Sequence, residues 1–137
     1  MDVDSFLQIF IAWVSNRPGI EGLALAGSRA RGTPTEESDV DLIILTSERD
    51  QYFRNVDWLS QLGEVQCFQR ETWGVVETIR ATYTGGLEVE YNFAAPSWVE
   101  VPVDAGTRRV VKEGFRILFD PQGKLEELAK EVSDASH

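Results

Sequence analysis

The apolar residues follow two kinds of spacing along the chain. Phe6, Ile9, Phe10 and Trp13 recur at the period of one buried helical face, and Asp4 or Ser5 stands where an N-cap belongs. Arg17-Pro18-Gly19 ends that helix. Gly22 to Ala26 reads as a short buried strand that breaks at Gly27-Ser28. Asp39 to Leu45 reads as a second strand, apolar on both faces after its first three residues, as expected of a central position in a sheet. A helical stretch is expected over Glu48 to Leu62, with Tyr52, Phe53, Val56 and Leu59 turned inward. Two further strands follow at Glu64 to Gln69 and Trp73 to Tyr83, and Thr84-Gly85-Gly86 signals a turn. Leu87 to Phe93 alternates cleanly between apolar and polar, the mark of a half-buried strand. After Pro96 the pattern gives a helix near Thr107 to Glu113, a strand over Phe115 to Phe119 and a last helix from Gly123 to Val132. The sum is a mixed α/β architecture in which strands precede and follow helices.

Composition narrows the class. The chain has 137 residues with 42% hydrophobic content, no internal repeat and no linker, so one domain over residues 1–137 is expected. A domain of this size buries roughly two-thirds of its unfolded surface. The single cysteine, Cys67, allows no intrachain disulfide and carries no zinc spacing; it is expected to be a small buried hydrophobe. No apolar run approaches the roughly 20 residues of a membrane span, and Met-Asp-Val-Asp lacks the positive end of a secretory signal. A cytoplasmic protein without membrane contact is therefore expected. With 13 Lys and Arg against 23 Asp and Glu, the formal charge is −10, which argues against general binding of nucleic acid backbone. The excess acid serves solubility first and leaves cationic partners open.

The chemistry concentrates in Ala26-Gly27-Ser28-Arg29-Ala30-Arg31-Gly32-Thr33 and in Asp39-Val40-Asp41-Leu42-Ile43. Gly27 and Ser28 follow a buried strand and precede a segment that can turn helical, so backbone amides and a hydroxyl would face an approaching anion, with no Cβ in the way. Arg29 and Arg31 are candidates to touch the same anion or to balance nearby acids. A P-loop is excluded because Thr33-Pro34 stands where Lys and then Ser or Thr is required, and the three-glycine dinucleotide fingerprint is absent.

Asp39 and Asp41 begin a strand two positions apart, so both carboxylates leave one face. At about 4 Å their repulsion is about 4 kcal/mol at an effective dielectric near 20, which a divalent cation would remove; hard oxygens with room for phosphate suit Mg2+. Glu88 and Glu90 share the polar face of the alternating strand, and one of them can complete the site. Only ten positions separate Ser28 from Asp39, fewer than a parallel crossover normally takes, which favours antiparallel pairing. Antiparallel pairing of the two strands brings the glycine turn beside the aspartates. Arg108, Arg109 and Lys112 read as a solvated helix face, Trp98 as core, and His137 as a chain end without a catalytic role.

Gly27-Ser28, ten residues, then Asp39-Val40-Asp41-Leu42 resembles the signature of the nucleotidyltransferase superfamily that includes DNA polymerase beta. The Gly-Ser-Arg-Ala-Arg-Gly wording is similar to its small bacterial branches, the minimal nucleotidyltransferases and the aminoglycoside and lincosamide nucleotidyltransferases. The resemblance implies a nucleotidyltransferase-type mixed β-sheet with helices packed mainly on one face. It implies transfer of a nucleoside monophosphate, AMP from ATP or another NTP, to a hydroxyl of a small acceptor such as an aminoglycoside. It places two Mg2+ ions on Asp39, Asp41 and Glu90, with Glu88 as the alternative third carboxylate, and the β and γ phosphates on Gly27 and Ser28. The family's third carboxylate is commonly Asp, and its antibiotic-modifying members add a helical domain for which little chain remains after Phe93. The acceptor is then expected at a homodimer interface or on another protein. A second expectation is a nucleotidyltransferase-fold antitoxin that binds or adenylylates a partner protein.

Overall fold

A computed structural model describes residues 2–32, 39–73, 76–99 and 105–134. Helix α1 (Val3–Ser15) leads into strand β1 (Ile20–Ala26), short helix α2 (Gly27–Arg31) and strand β2 (Val40–Thr46). Helix α3 (Arg49–Arg54) and a 3-10 turn (Asp57–Gln61) precede strands β3 (Val65–Trp73), β4 (Val76–Tyr83) and β5 (Glu88–Ala94). A second 3-10 turn (Pro96–Val99), α4 (Ala105–Glu113), β6 (Phe115–Phe119) and α5 (Lys124–Asp134) complete the order. The six strands form one mixed sheet in the order β3-β4-β5-β2-β1-β6. β1 and β2 pair antiparallel, as the short connection between them favours, and β2 and β5 pair parallel.

The sheet separates two apolar clusters. On one face Leu23, Leu25, Val40, Leu42, Ile44, Ile79, Tyr91 and Phe93 meet α1 and the segment from α3 through the first 3-10 turn. This is the larger core, and its rings touch one another: Trp58 lies edge-on to Tyr91 at 4.9 Å between centroids, and Phe10 edge-on to Tyr91 at 5.4 Å. Its polar atoms are satisfied, with the Tyr83 and Tyr91 hydroxyls 2.8 Å apart and Tyr83 donating to the Leu59 carbonyl. Burial pushes the Tyr83 hydroxyl up to about 12, so it stays protonated. The opposite face buries Ala24, Ala26, Ile43 and Leu45 under Trp98 and the apolar stripe Leu125, Leu128 and Val132 of α5.

Several sequence expectations shift in detail. The cap of α1 is Asp2, whose Oδ1 accepts from the Ser5 amide at 2.8 Å, rather than Asp4 or Ser5. The helix is apolar almost all round, and the face it buries is Phe6, Leu7, Phe10 and Val14, while Ile9 is 43% exposed. The expected helix over Glu48 to Leu62 divides at Asn55, whose side chain accepts the Asp57 amide at 3.1 Å and so competes with a helical hydrogen bond. Trp73 ends β3 instead of starting β4. Cys67 is exposed, not buried, because β3 is an edge strand. Thr33 and the Pro34 to Ser38 stretch fall outside the described residues, as does His137. Among the described residues no helix is long and apolar enough to cross a membrane.

Candidate functional site

Register assembles the candidate site. Asp41 faces Ala26 on β1 and Glu90 on β5, and Glu90 faces Arg80 on β4. One row across four strands therefore runs Ala26, Asp41, Glu90, Arg80. Side chains directly opposite in a sheet have their Cβ atoms about 5 Å apart, so two carboxylates and a guanidinium are neighbours by backbone geometry alone. Asp39 stands two positions before Asp41, and Glu88 two before Glu90, on the same face.

The polar strand face behind this row fixes Asp41. Asn92 faces Ile43 and Thr78 in the ladders, and its amide donates to Asp41 Oδ1 at 2.7 Å and to the Leu42 carbonyl at 3.0 Å. Thr78 Oγ1 in turn donates to Asn92 Oδ1 at 2.8 Å, inside the protein. One oxygen of Asp41 is thus held. The other lies beside Gly27, where a Cβ would stand 3.5 Å from Oδ2. Gly27 takes φ of +75°, a backbone state that L side chains adopt rarely, to turn the chain from β1 into α2. Gly114, after α4, approaches closely as well: a Cβ there would stand 2.6 Å from the Gly27 carbonyl oxygen.

Burial and like charge shape the acids. Burial raises the Asp41 carboxyl above its ordinary value and Asp39 adds to the effect, against the Asn92 hydrogen bond and Arg80. Burial also raises Glu90, reinforced by Asp41 and opposed by Arg80. Glu88 is exposed and is raised chiefly by its hydrogen bond with the Asp39 carboxyl. Arg80 stands among these groups, with Nη1 3.4 Å from Glu90 Oε2 and 4.0 Å from Asp39 Oδ2, and Nε 3.0 Å from Glu71 Oε2. Among the described residues no three Asp, Glu, His or Cys side chains close on one point as a finished metal cage. Arg80 is in contact with two of these carboxylates, Glu90 and Asp39.

Two cavities flank the Arg80–Glu90 pair. One of about 170 Å3 is bordered by Asp39, Cys67, Gln69, Thr82 and Glu88. The other, about 290 Å3, has Asp41 and Asn92 at one wall and Ile43, Val76, Trp98 and Val110 as its apolar walls. A ligand with both a charged and an apolar part fits such a surface.

The two arginines of the motif follow Gly27 on α2 and make their contacts away from the carboxylates. Arg31 Nη1 donates to the Glu113 carbonyl at 2.7 Å, tying α2 to the end of α4. Arg29 lines a separate cavity of about 330 Å3 with Asp2, Asp4, Leu7, Leu25 and Arg116. Asp39, Asp41, Glu88 and Glu90 come together as the sequence pattern suggested, with Gly27 against Asp41. Asn92, Thr78, Arg80 and Glu71 were missed. Thr78, Arg80 and Thr82 do alternate with buried Ile79, Ala81 and Tyr83, so a polar face on β4 was visible in the sequence. Which strand it would lie beside was not.

Residues 10–77 match the family model described as polymerase beta, nucleotidyltransferase. Among curated proteins no match is found. Among solved structures the fold is similar to an aminoglycoside 6-adenyltransferase from Bacillus subtilis, with a TM-score of 0.56, 14% identity, and coverage of 69% of this chain and 35% of that one. A nucleotidyltransferase-like protein from Exiguobacterium sibiricum aligns with a TM-score of 0.48 and 17% identity over 95% of this chain and 38% of its own. This chain spans about a third of the length of the solved structures it matches.

Proposed function

We propose, from the premise that this chain belongs over residues 10–77 to the polymerase beta nucleotidyltransferase family, that its carboxylate face transfers a nucleoside monophosphate, AMP from ATP, to a hydroxyl of a small acceptor. The observation that carries the reading is the row Ala26, Asp41, Glu90, with Gly27 packed against Asp41 Oδ2. In the reaction the acceptor hydroxyl gives up its proton to solvent as its oxygen bonds to the α-phosphorus, the bond from that phosphorus to the bridging oxygen breaks, and pyrophosphate leaves.

The donors fit Mg2+ in chemistry. They are hard carboxylate oxygens on adjacent strands, and they already collect one cation, Arg80. Asp39, Asp41 and Glu90 are the proposed ligands, with Glu88 as the alternative to Glu90. Bound there, Mg2+ would offset charge on the attacking and leaving oxygens and lower the pKa of the acceptor hydroxyl. Asn92 holds Asp41 Oδ1 and so fixes the direction of Oδ2. Gly27 and Ser28 are proposed to meet the β and γ phosphates with the amides and hydroxyl at the start of α2. Arg31 supports them from behind through its bond to Glu113. Arg29, on the same short helix and bordering the cavity beside α1, is proposed with Arg31 as a cation for the phosphates. Exposed Glu88, with Asp39 beside it, favours a cationic acceptor such as an aminoglycoside.

The test is transfer of label from α-radiolabelled ATP to a panel of aminoglycosides and other polyols with Mg2+. Mg2+-dependent labelling of one acceptor supports the reading. An absence of labelling across the panel, together with no pyrophosphate release above that of Asp41→Asn, overturns it.

A further inference from the structure

Arg80 is unexpected where it stands. Its strand neighbour is Glu90, and its guanidinium is shared between two groups of partners at different distances. Nε makes the closer contact, to Glu71 on β3 at 3.0 Å; Nη1 reaches Glu90 at 3.4 Å and Asp39 at 4.0 Å. Glu71 sits on the neighbouring strand, outside the Asp39, Asp41 and Glu90 group. The side chain is therefore anchored at one edge and leans on the carboxylates with the other.

We infer that Arg80 is a positioning residue for the carboxylates: its Nη1 end stands in for the metal between Asp39 and Glu90 when no metal is bound and withdraws to Glu71 when a divalent cation arrives. This rests on the proposed metal role of those carboxylates. The guanidinium is always charged, and its fork lets it keep one acid while touching others. Its side chain is 45% exposed, so solvent screens the Asp39 and Glu90 contacts, and they are readily exchanged. A divalent ion carries twice the charge and binds oxygen at about 2.1 Å when it is Mg2+, closer than any guanidinium contact. The two cannot share the same oxygens at full strength. Glu71 gives the displaced guanidinium a seat, so the exchange strands no charge. The geometry this rests on is the guanidinium between Glu71 on one side and Glu90 and Asp39 on the other.

The test is Mn2+ titration followed by electron paramagnetic resonance, with thermal denaturation in EDTA and in saturating Mn2+, on the wild type, Arg80→Gln and Glu71→Gln. The inference expects Arg80→Gln to bind Mn2+ about 3- to 10-fold more tightly, from loss of one competing cation screened as an exposed pair is. It expects that variant to melt below the wild type in EDTA and level with it in Mn2+. Glu71→Gln, which removes the seat, should bind Mn2+ several-fold more weakly. If Arg80→Gln binds Mn2+ as the wild type does and loses the same melting temperature in both conditions, Arg80 is only a strand brace and the inference is wrong. A wild type that binds no Mn2+ at all overturns the metal reading of the carboxylates instead, and the inference falls with it.

Discussion

The two faces of the central strands use the same ladders for opposite ends. On one face Leu42, Ile44, Tyr91 and Phe93 are buried against α1, and the polar atoms among them are paired. On the other, one residue along each strand, Asp41 and Glu90 are partly buried, held by Asn92 and Arg80, and burial raises both carboxyls. A sheet can carry such an arrangement because successive side chains alternate between faces. The aromatic face buries large apolar rings, while the carboxylate face gathers charge. Substitutions on the first should cost folding, and substitutions on the second should cost chemistry.

The largest expected effect is on the carboxylate face. Asp41→Asn should lower nucleotidyl transfer by ~10^3-fold, since several kcal/mol of charge stabilisation are lost. The same variant should melt a few degrees higher without metal, because it removes a charge that burial disfavours. An active Asp41→Asn, or one that fails to fold, would break the distinction between the faces. On the aromatic face Phe10→Ala should cost about 3 to 5 kcal/mol of stability by denaturant unfolding, as its ring is fully buried against Phe6, Trp13 and Tyr91. Whatever protein remains folded should bind Mn2+ as the wild type does.

Asn92 joins the two behaviours. Asn92→Leu removes its bonds to Asp41 and the Leu42 carbonyl and leaves Thr78 without its acceptor, for a loss of about 2 to 3 kcal/mol. Metal affinity should fall with it, unlike in Phe10→Ala. Smallest is the effect of pH. Asp41, Glu88 and Glu90 are all raised in the folded state. Groups of that kind favour folding fully below their unfolded values, and that contribution is lost as pH rises through the folded ones. The melting temperature of the metal-free protein should therefore fall, on account of these groups, as pH rises out of the ordinary carboxylate range. The fall should be shallower in Asp41→Asn, and parallel curves would contradict it.

Much of this was legible from residue order. The ten positions between Ser28 and Asp39 favoured the antiparallel β1–β2 pair, and the clean alternation of residues 87–93 put Glu88 and Glu90 on one face. Contacts between strands distant in sequence were not legible. Arg80 and Asn92 enter the site through the β4–β5 ladder, and nothing local in either strand says that β5 lies parallel to β2. The contacts of Arg29 and Arg31 were not legible for the same reason. A five-residue helix points its side chains in several directions, and their destinations, the cavity under α1 and the end of α4, are set by segments far along the chain. Ile9 and Cys67 show the local limit. A helix apolar nearly all round does not declare its buried face, and an edge strand reads like an inner one.

The most direct test of the central claim is calorimetric titration of ATP with Mg2+ into the wild type and into Asp41→Asn. The account predicts saturable binding by the wild type and at least tenfold weaker binding by the variant. No binding by the wild type, or equal binding by both, would contradict it.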